Sequence, residues 1–249
     1  MLSAPRDVIV VHTSDLHIDN DYTARLHGGD GVAGLACVLG KARAIAADAA
    51  ILAGDTFDSH RVPDSLVERA ASAMEAAGIP IVILPGNHDP AVSDAIYRRG
   101  IFAALKNLHV LGVTHDDSVL FEALSLEIWG RAHRDYGDMI PLDVAFARPS
   151  RSTRWQIAVA HGHYEPNPDR SVESRPAWLI GDAEIAAAGA DYVALGHWNR
   201  AARVGGAAAT AYYSGSPEYA GTINVVRLSE TGGVTVTRAR LDIARERSD

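Results

Sequence analysis

Short apolar runs alternate with amphipathic stretches through the first third of the chain. Residues 8–11, Val-Ile-Val-Val, are apolar, short and preceded by charge, the pattern of a buried strand. Residues 31–48 carry Leu35, Val38, Leu39, Ala42 and Ile45 at spacings of three and four, which predicts a helix. A second strand is predicted at 50–53. A second helix is predicted at 63–77, with Pro63 suited to the first turn and Gly78 to the end. A third strand is predicted at 79–84. This βαβαβ order predicts a parallel sheet with right-handed crossovers.

The middle of the chain is less regular. Residues 108–113 and 124–129 read as strands, and 131–154, with mixed charge and no clear period, reads mostly as loop. Strands are predicted at 157–160 and 192–195, with an alanine-rich helix at 182–188 between them. Beyond Arg200 the pattern becomes short strands, at 211–214, 223–228 and 234–239, with Gly232-Gly233 as a hairpin turn. A parallel α/β half followed by a β-rich half predicts an α/β fold. Two mixed β-sheets would pack as a sandwich flanked by helices, in one domain over residues 1–249.

Composition narrows the function classes. The chain has 249 residues, 47% of them apolar, and a net charge of -8 from 31 acidic and 23 basic residues. That balance argues against a basic protein that coats nucleic acid unaided. Cys37 is the one cysteine, so an internal disulfide and a cysteine-based zinc site are excluded. No run approaches the ~18–20 apolar residues of a spanning helix. The first eleven residues lack a leader's apolar stretch and cleavage site, so a cytoplasmic location without membrane contact is expected. Eleven histidines remain. A metal site in this chain would use imidazole and oxygen donors.

Five apolar runs end in such donors. Residues 8–11 lead to Asp15-Leu16-His17, and 51–53 lead to Gly54-Asp55. Residues 81–84 lead to Gly86-Asn87-His88-Asp89, 157–160 to His161-Gly162-His163, and 192–195 to Gly196-His197-Trp198-Asn199. In α/β sheets ligands bind beyond the carboxyl ends of the strands, so parallel neighbours would bring these clusters to one edge. Singly, each is an ordinary turn or cap. All five, in order and each just past an apolar run, point to a site for divalent ions. Two ions can clamp a phosphoryl group and generate hydroxide near neutral pH.

This ordered set, spanning about residues 9 to 199, resembles the calcineurin-like metallophosphoesterase family. The resemblance implies a two-sheet sandwich flanked by helices and two divalent ions; the oxygen and imidazole donors suit Mn, Fe or Zn. It implies that Asp15 and His17 bind one ion, that Asp55 bridges both, and that Asn87, His161 and His197 bind the second. His88 would contact the substrate phosphate or protonate the leaving group, oriented by Asp89. The reaction would be hydrolysis of a phosphate mono- or diester, with a metal-bridging hydroxide attacking phosphorus.

The family usually ends this signature in Gly-His-x-His, and here the last position is Asn199. Its neutral carboxamide oxygen is a harder donor than imidazole, which weakens the first site and biases it towards Mn or Fe. Four segments are similar to the DNA-repair exonuclease branch, such as the nuclease subunit of bacterial SbcCD. They are Thr13-Ser14-Asp15-Leu16-His17, Ala53-Gly54-Asp55-Thr56-Phe57-Asp58, the run 191–197, and Tyr213-Ser214-Gly215-Ser216-Pro217-Glu218. Nucleases of that branch continue into a capping domain, and none is expected in this chain.

The expected substrate is therefore a phosphate ester, and the compact size and acidic balance favour a small molecule over a nucleic acid, the alternative. A non-catalytic scaffold of the same fold is the third class considered, with Asp55, Asn87, His88 and His161 standing against it. His60, Arg61, Tyr97, Arg98, Arg99, Arg131, His133, Arg134, His163 and Tyr164 lie near the motif strands or in flanking loops. Arginine and histidine suit phosphate contacts. Arg61, and His163 with Tyr164 directly after His161, are the candidates for substrate binding. Trp198 is expected to pack beneath its loop.

Overall fold

The computed structural model describes residues 6–147, 149–171, 177–206 and 209–243. Strands β1 (Val8–Thr13), β2 (Ala49–Ala53), β3 (Ile81–Leu84) and β4 (Leu108–Val110) are mutually parallel in one sheet. Strands β5 (Ser118–Phe121), β6 (Leu126–Trp129) and β7 (Trp155–His161) begin a second. The short strands β8 (His163–Tyr164) and β9 (Leu179–Ile180) pair apart from both. The second sheet continues with β10 (Tyr192–Gly196), β11 (Ala202–Val204) and β12 (Ala211–Tyr213). The chain closes with β13 (Thr222–Ser229) and β14 (Gly233–Arg240).

Strand order is β14-β13-β1-β2-β3-β4 in the first sheet and β11-β12-β10-β7-β6-β5 in the second. The final hairpin thus returns to the N-terminal sheet. β13 lies antiparallel to β1, pairing Val11 with Val225 and Val8 with Leu228. This covers the edge of β1, which would otherwise present unpaired backbone groups. Both sheets are mixed, as expected for a parallel α/β half followed by a β-rich half.

Apolar side chains form three layers. On the outer face of the first sheet, Leu35, Val38, Leu39 and Ala42 of helix Ala33–Ala44 pack with Val67, Ala70 and Met74 of helix Asp64–Ala77. Between the sheets, Val10, Ile51, Val82 and Leu84 meet Ile128, Ile157, Val159 and Ala194. Outside the second sheet, Trp129, Ala158 and Leu195 pack on Ile185 and Ala188 of helix Asp182–Ala188.

The first predicted helix ends earlier than its apolar period suggests. Ala46 turns left-handed (φ 52°), and Asp48 accepts a hydrogen bond from Ile9 N at 2.9 Å, so the chain enters β2 instead. The second ends where the sequence indicates: Gly78 is left-handed (φ 65°) and its N–H returns to Glu75. The irregular segment 131–154 holds one short helix, Val144–Ala147, among its described residues. No helix among the described residues is long and apolar enough to cross a membrane.

Candidate metal centre

β1, β2 and β3 run parallel in one sheet, and β7 and β10 run parallel in the other. The loops beyond their carboxyl ends meet. Asp15 N donates to Gly54 O, His17 N to Asp55 O and Ile18 N to Thr56 O, which fastens the first two loops together. Four residues there have left-handed backbones: Asp15 (φ 54°), His17 (φ 42°), Asp55 (φ 51°) and His197 (φ 104°). Such conformations cost roughly 1–3 kcal/mol each in a non-glycine residue and cluster at functional sites.

The two sheets approach closely at this edge. A Cβ on Gly196 would overlap the carbonyl oxygen of Ala53, and a Cβ on Gly54 would overlap the His161 ring. Only glycine admits this contact. It lets His161 reach across the sandwich from β7, where its Nδ1 donates to Ala53 O at 2.8 Å.

That hydrogen bond fixes what the other ring nitrogen offers. With the proton on Nδ1, Nε2 presents a lone pair 3.0 Å from Asp55 Oδ2 and 3.1 Å from Asn87 Oδ1. Three acceptor atoms facing one point need a cation between them, so these residues fit a metal. Without one, a proton takes its place. Burial opposes this, but the Asp55 carboxylate outweighs burial and holds the His161 pKa at about 9. Burial also opposes ionisation of Asp55, yet the imidazoles of His161, His17 and His88 hold it below the usual carboxylate range.

Potential ligand atoms of Asp15, His17 and Asp55 lie within 4.8 Å of one another, as do those of Asp55, His161 and His197. Asp55 belongs to both groups. Asp15 is almost fully buried; its Oδ2 accepts from Ser14 Oγ at 2.5 Å and from His197 N at 3.0 Å. Ser214 Oγ lies 3.1 Å from Ser14 Oγ. Burial, and then the neighbouring His161 cation, push His197 down to about 4. Asn199 is exposed and lines one groove with Asp15 and His17.

His88 stands at the rim, with its backbone N donating to Asp55 Oδ1 at 2.9 Å. The carboxylate beside its imidazole is Asp58, with Oδ1 3.2 Å from His88 Nδ1 and 2.9 Å from His17 Nδ1. Asp89, by contrast, is buried and directed inward. Its Oδ1 accepts from Gly86 N (2.7 Å) and Asp55 N (3.3 Å), and its Oδ2 from Thr56 N (2.9 Å), Phe57 N (3.1 Å) and the Tyr97 hydroxyl. It ties the β2 and β3 loops to each other.

The flanking residues divide. Arg61 is exposed in a groove of about 710 Å³ with Asn87 and His88. His163 is exposed, accepts from Trp198 Nε1 at 3.0 Å, and has its ring 6.5 Å from that of His197. Tyr164 donates to Asp182 at 2.8 Å. Trp198 stacks on Tyr213 with centroids 4.3 Å apart, which is the expected packing. Tyr97 and His133 are buried and line neither the groove of Asn199 nor that of Arg61. His133 Nε2 donates to His161 O at 2.8 Å, and burial keeps its pKa at about 4.

This is a helix-flanked double-sheet sandwich with a cluster of aspartate, asparagine and histidine at the ends of its parallel strands, the class of a metal-dependent phosphoesterase. Residues 9–200 match the family described as Calcineurin-like phosphoesterase, and the chain belongs to it. Over 244 residues the chain is 28% identical to the SbcD subunit of the nuclease SbcCD from Bacillus subtilis (strain 168), covering 84% of this chain and 61% of that protein. Over 114 residues it is 31% identical to the same nuclease subunit from Escherichia coli (strain K12), covering 45% of this chain and 28% of that one. The chain therefore spans less than two thirds of either relative. Its fold is similar to that of TT1561 of Thermus thermophilus, with TM-score 0.60 and 12% identity over 94% of this chain and all of the other.

Proposed function

We propose that this chain hydrolyses a phosphate mono- or diester at a centre of two divalent cations. The observation that carries the reading is the position of Asp55, whose carboxylate belongs to both donor groups. Asp15, His17 and Asp55 would hold one cation, with Asn199 completing its donors. Asp55, Asn87, His161 and His197 would hold the other. Two such cations supply a Lewis-acid clamp on phosphate oxygens and lower the pKa of water towards neutrality.

The chain's own residues do the rest. Ala53 O fixes the His161 tautomer, so that Nε2 is free to ligate. Asp55 orients His88 through the His88 backbone N–H while its carboxylate faces both donor groups. Asp58 holds Nδ1 of His88, leaving Nε2 to contact the phosphate or to pass a proton to the departing oxygen. Asp89 acts at one remove, by fixing the loops that carry Asp55 and His88. The neutral Asn199 favours Mn or Fe over Zn at the first position. His163, Tyr164 and Arg61 are the flanking residues for substrate.

The reading takes the chain as one catalytic domain in the cytoplasm, a compartment that suits its single cysteine. A nuclease is the favoured form, because both similar proteins are named as nuclease subunits. Hydrolysis of bis-p-nitrophenyl phosphate, p-nitrophenyl phosphate and single-stranded DNA with added Mn tests it. Turnover of the diester and DNA is expected. Activity on the aryl esters alone would point to a small-molecule substrate, and activity on none to a scaffold.

A further inference from the structure

Tyrosines are the exposed aromatic rings around this centre. Tyr22, Tyr136 and Tyr219 are 48%, 60% and 58% exposed, and each lines one of two grooves that meet at His88. One groove, about 360 Å³, runs past Asp15, His17 and Asn199 to Tyr22 and Tyr219. The other, about 710 Å³, runs past Asn87 and Arg61 to Tyr136. His88 and Asp58 line both, so they form the wall between them.

The Tyr22 and Tyr219 rings hold each other in place, and the backbone beside Tyr136 is anchored. Tyr22 and Tyr219 lie against each other, centroids 6.2 Å apart and planes at 25°. Tyr22 belongs to helix Asp21–Leu26, whose cap Asn20 accepts from Tyr22 N at 2.9 Å and donates to Asp58 Oδ2 at 3.3 Å. The helix is thus tied to the same carboxylate that touches His88. Tyr136 precedes Gly137, whose carbonyl accepts from Trp178 Nε1 at 2.9 Å. The Trp178 ring in turn sits 6.0 Å from that of His197. A rigid tyrosine offers a large stacking face at low entropic cost.

Charge does not explain binding here. The chain carries -8, and the larger groove places Asp58 and Asp94 beside the single arginine Arg61. A polyanion would gain little from such a lining along its backbone.

We infer that the Tyr22–Tyr219 pair and Tyr136 are stacking platforms for the bases on either side of the scissile phosphate, in an unpaired nucleic-acid strand. The inference rests on the phosphoesterase reading and names its substrate contacts. Stacking on aromatic faces is tolerant of base identity but needs bases out of a duplex. The rings set affinity, and the donors between them set chemistry.

The test compares a thymidylate tetramer, its abasic counterpart and a blunt duplex with Mn-loaded protein. Wild type should prefer the tetramer over the other two. Tyr136→Ala, and Tyr22→Ala combined with Tyr219→Ala, should each raise KM for the tetramer about 5- to 150-fold, with a smaller change in kcat. Tyr136→Phe should restore KM. The dependence of log Kd on log salt should be shallow, with a slope no steeper than about −1. Equal KM for base-bearing and abasic substrates, equal hydrolysis of duplex, unchanged KM in the alanine variants or a steep salt slope would each overturn the inference. If wild type hydrolyses bis-p-nitrophenyl phosphate but ignores bases, the stacking inference alone fails; if it hydrolyses neither, the phosphoesterase reading fails with it.

Discussion

Asp58 holds His88 by Nδ1 at 3.2 Å, from a turn shortly beyond β2. The same oxygen reaches His17 Nδ1 at 2.9 Å. One carboxylate therefore links a donor of the first cation to the rim histidine. Asp58→Ala is expected to lower turnover about 10- to 100-fold, the usual cost of losing a group that orients a donor. His88→Ala should lower kcat about 10²- to 10⁴-fold with both cations retained. Steady-state kinetics with metal analysis checks both, and unchanged turnover in His88→Ala removes it from the reaction.

Asp89 is expected to act on stability. Asp89→Ala strands the N–H groups of Gly86, Thr56 and Phe57 in the interior. Each buried unpaired donor costs about 1–3 kcal/mol, so a total loss above about 3 kcal/mol is expected in urea unfolding. A loss below about 1 kcal/mol with abolished turnover would instead give Asp89 a chemical role.

Asn199 is expected to tune one cation. Asn199→Ala should weaken one of two binding steps in a Mn titration and leave the other unchanged. Equal affinity at both steps in wild type and variant would show that the side chain does not ligate.

Glu218 links stability to pH. Its side chain is buried beside His27, with Oε1 3.4 Å from Nε2. Burial, with a smaller contribution from the Asp15 charge, lifts its pKa from 4.5 to about 7. Across that window the folded chain keeps a proton that the unfolded chain has released. Its stabilising contribution is full below about pH 4.5 and is lost as pH rises through about 7. Burial lowers the pKa of His27, which acts in the opposite sense, so the comparison is with Glu218→Gln. The variant should gain on wild type by on the order of 3 kcal/mol between about pH 4.5 and about pH 8 in urea unfolding. Parallel stability curves would contradict this.

The donors are legible in the sequence because each follows its own strand closely, where a local apolar run announces the strand and a glycine announces the turn. Parallel order alone brings Asp15, Asp55 and Asn87 together in the first sheet; His161 and His197 lie at the ends of strands in the second sheet and meet them only through the close approach at Gly54 and Gly196, which leaves no periodic signal. The return of β13 and β14 to β1 is not legible, since the β1–β13 pairing joins residues about two hundred positions apart and leaves no periodic signal. Asp58 carries no such signal either, although it lies in the very segment that carries Asp55. Its placement depends on Asp19 Oδ1, which accepts from Asp58 N at 2.5 Å and turns the loop back. Tyr97 and His133 suggest substrate readers by residue type alone, and burial makes them interior supports. The three groove tyrosines carry no motif; only their exposure next to His88 singles them out.

The central claim is that Asp55 joins two cation sites. Metal stoichiometry by mass spectrometry, with the electron paramagnetic resonance of the Mn-loaded protein, tests it in wild type and Asp55→Asn. Two ions per chain with an exchange-coupled Mn pair are expected in wild type, with the coupling lost and at most one ion retained in Asp55→Asn. A single uncoupled ion in wild type, or two ions held equally well by Asp55→Asn, would contradict the account.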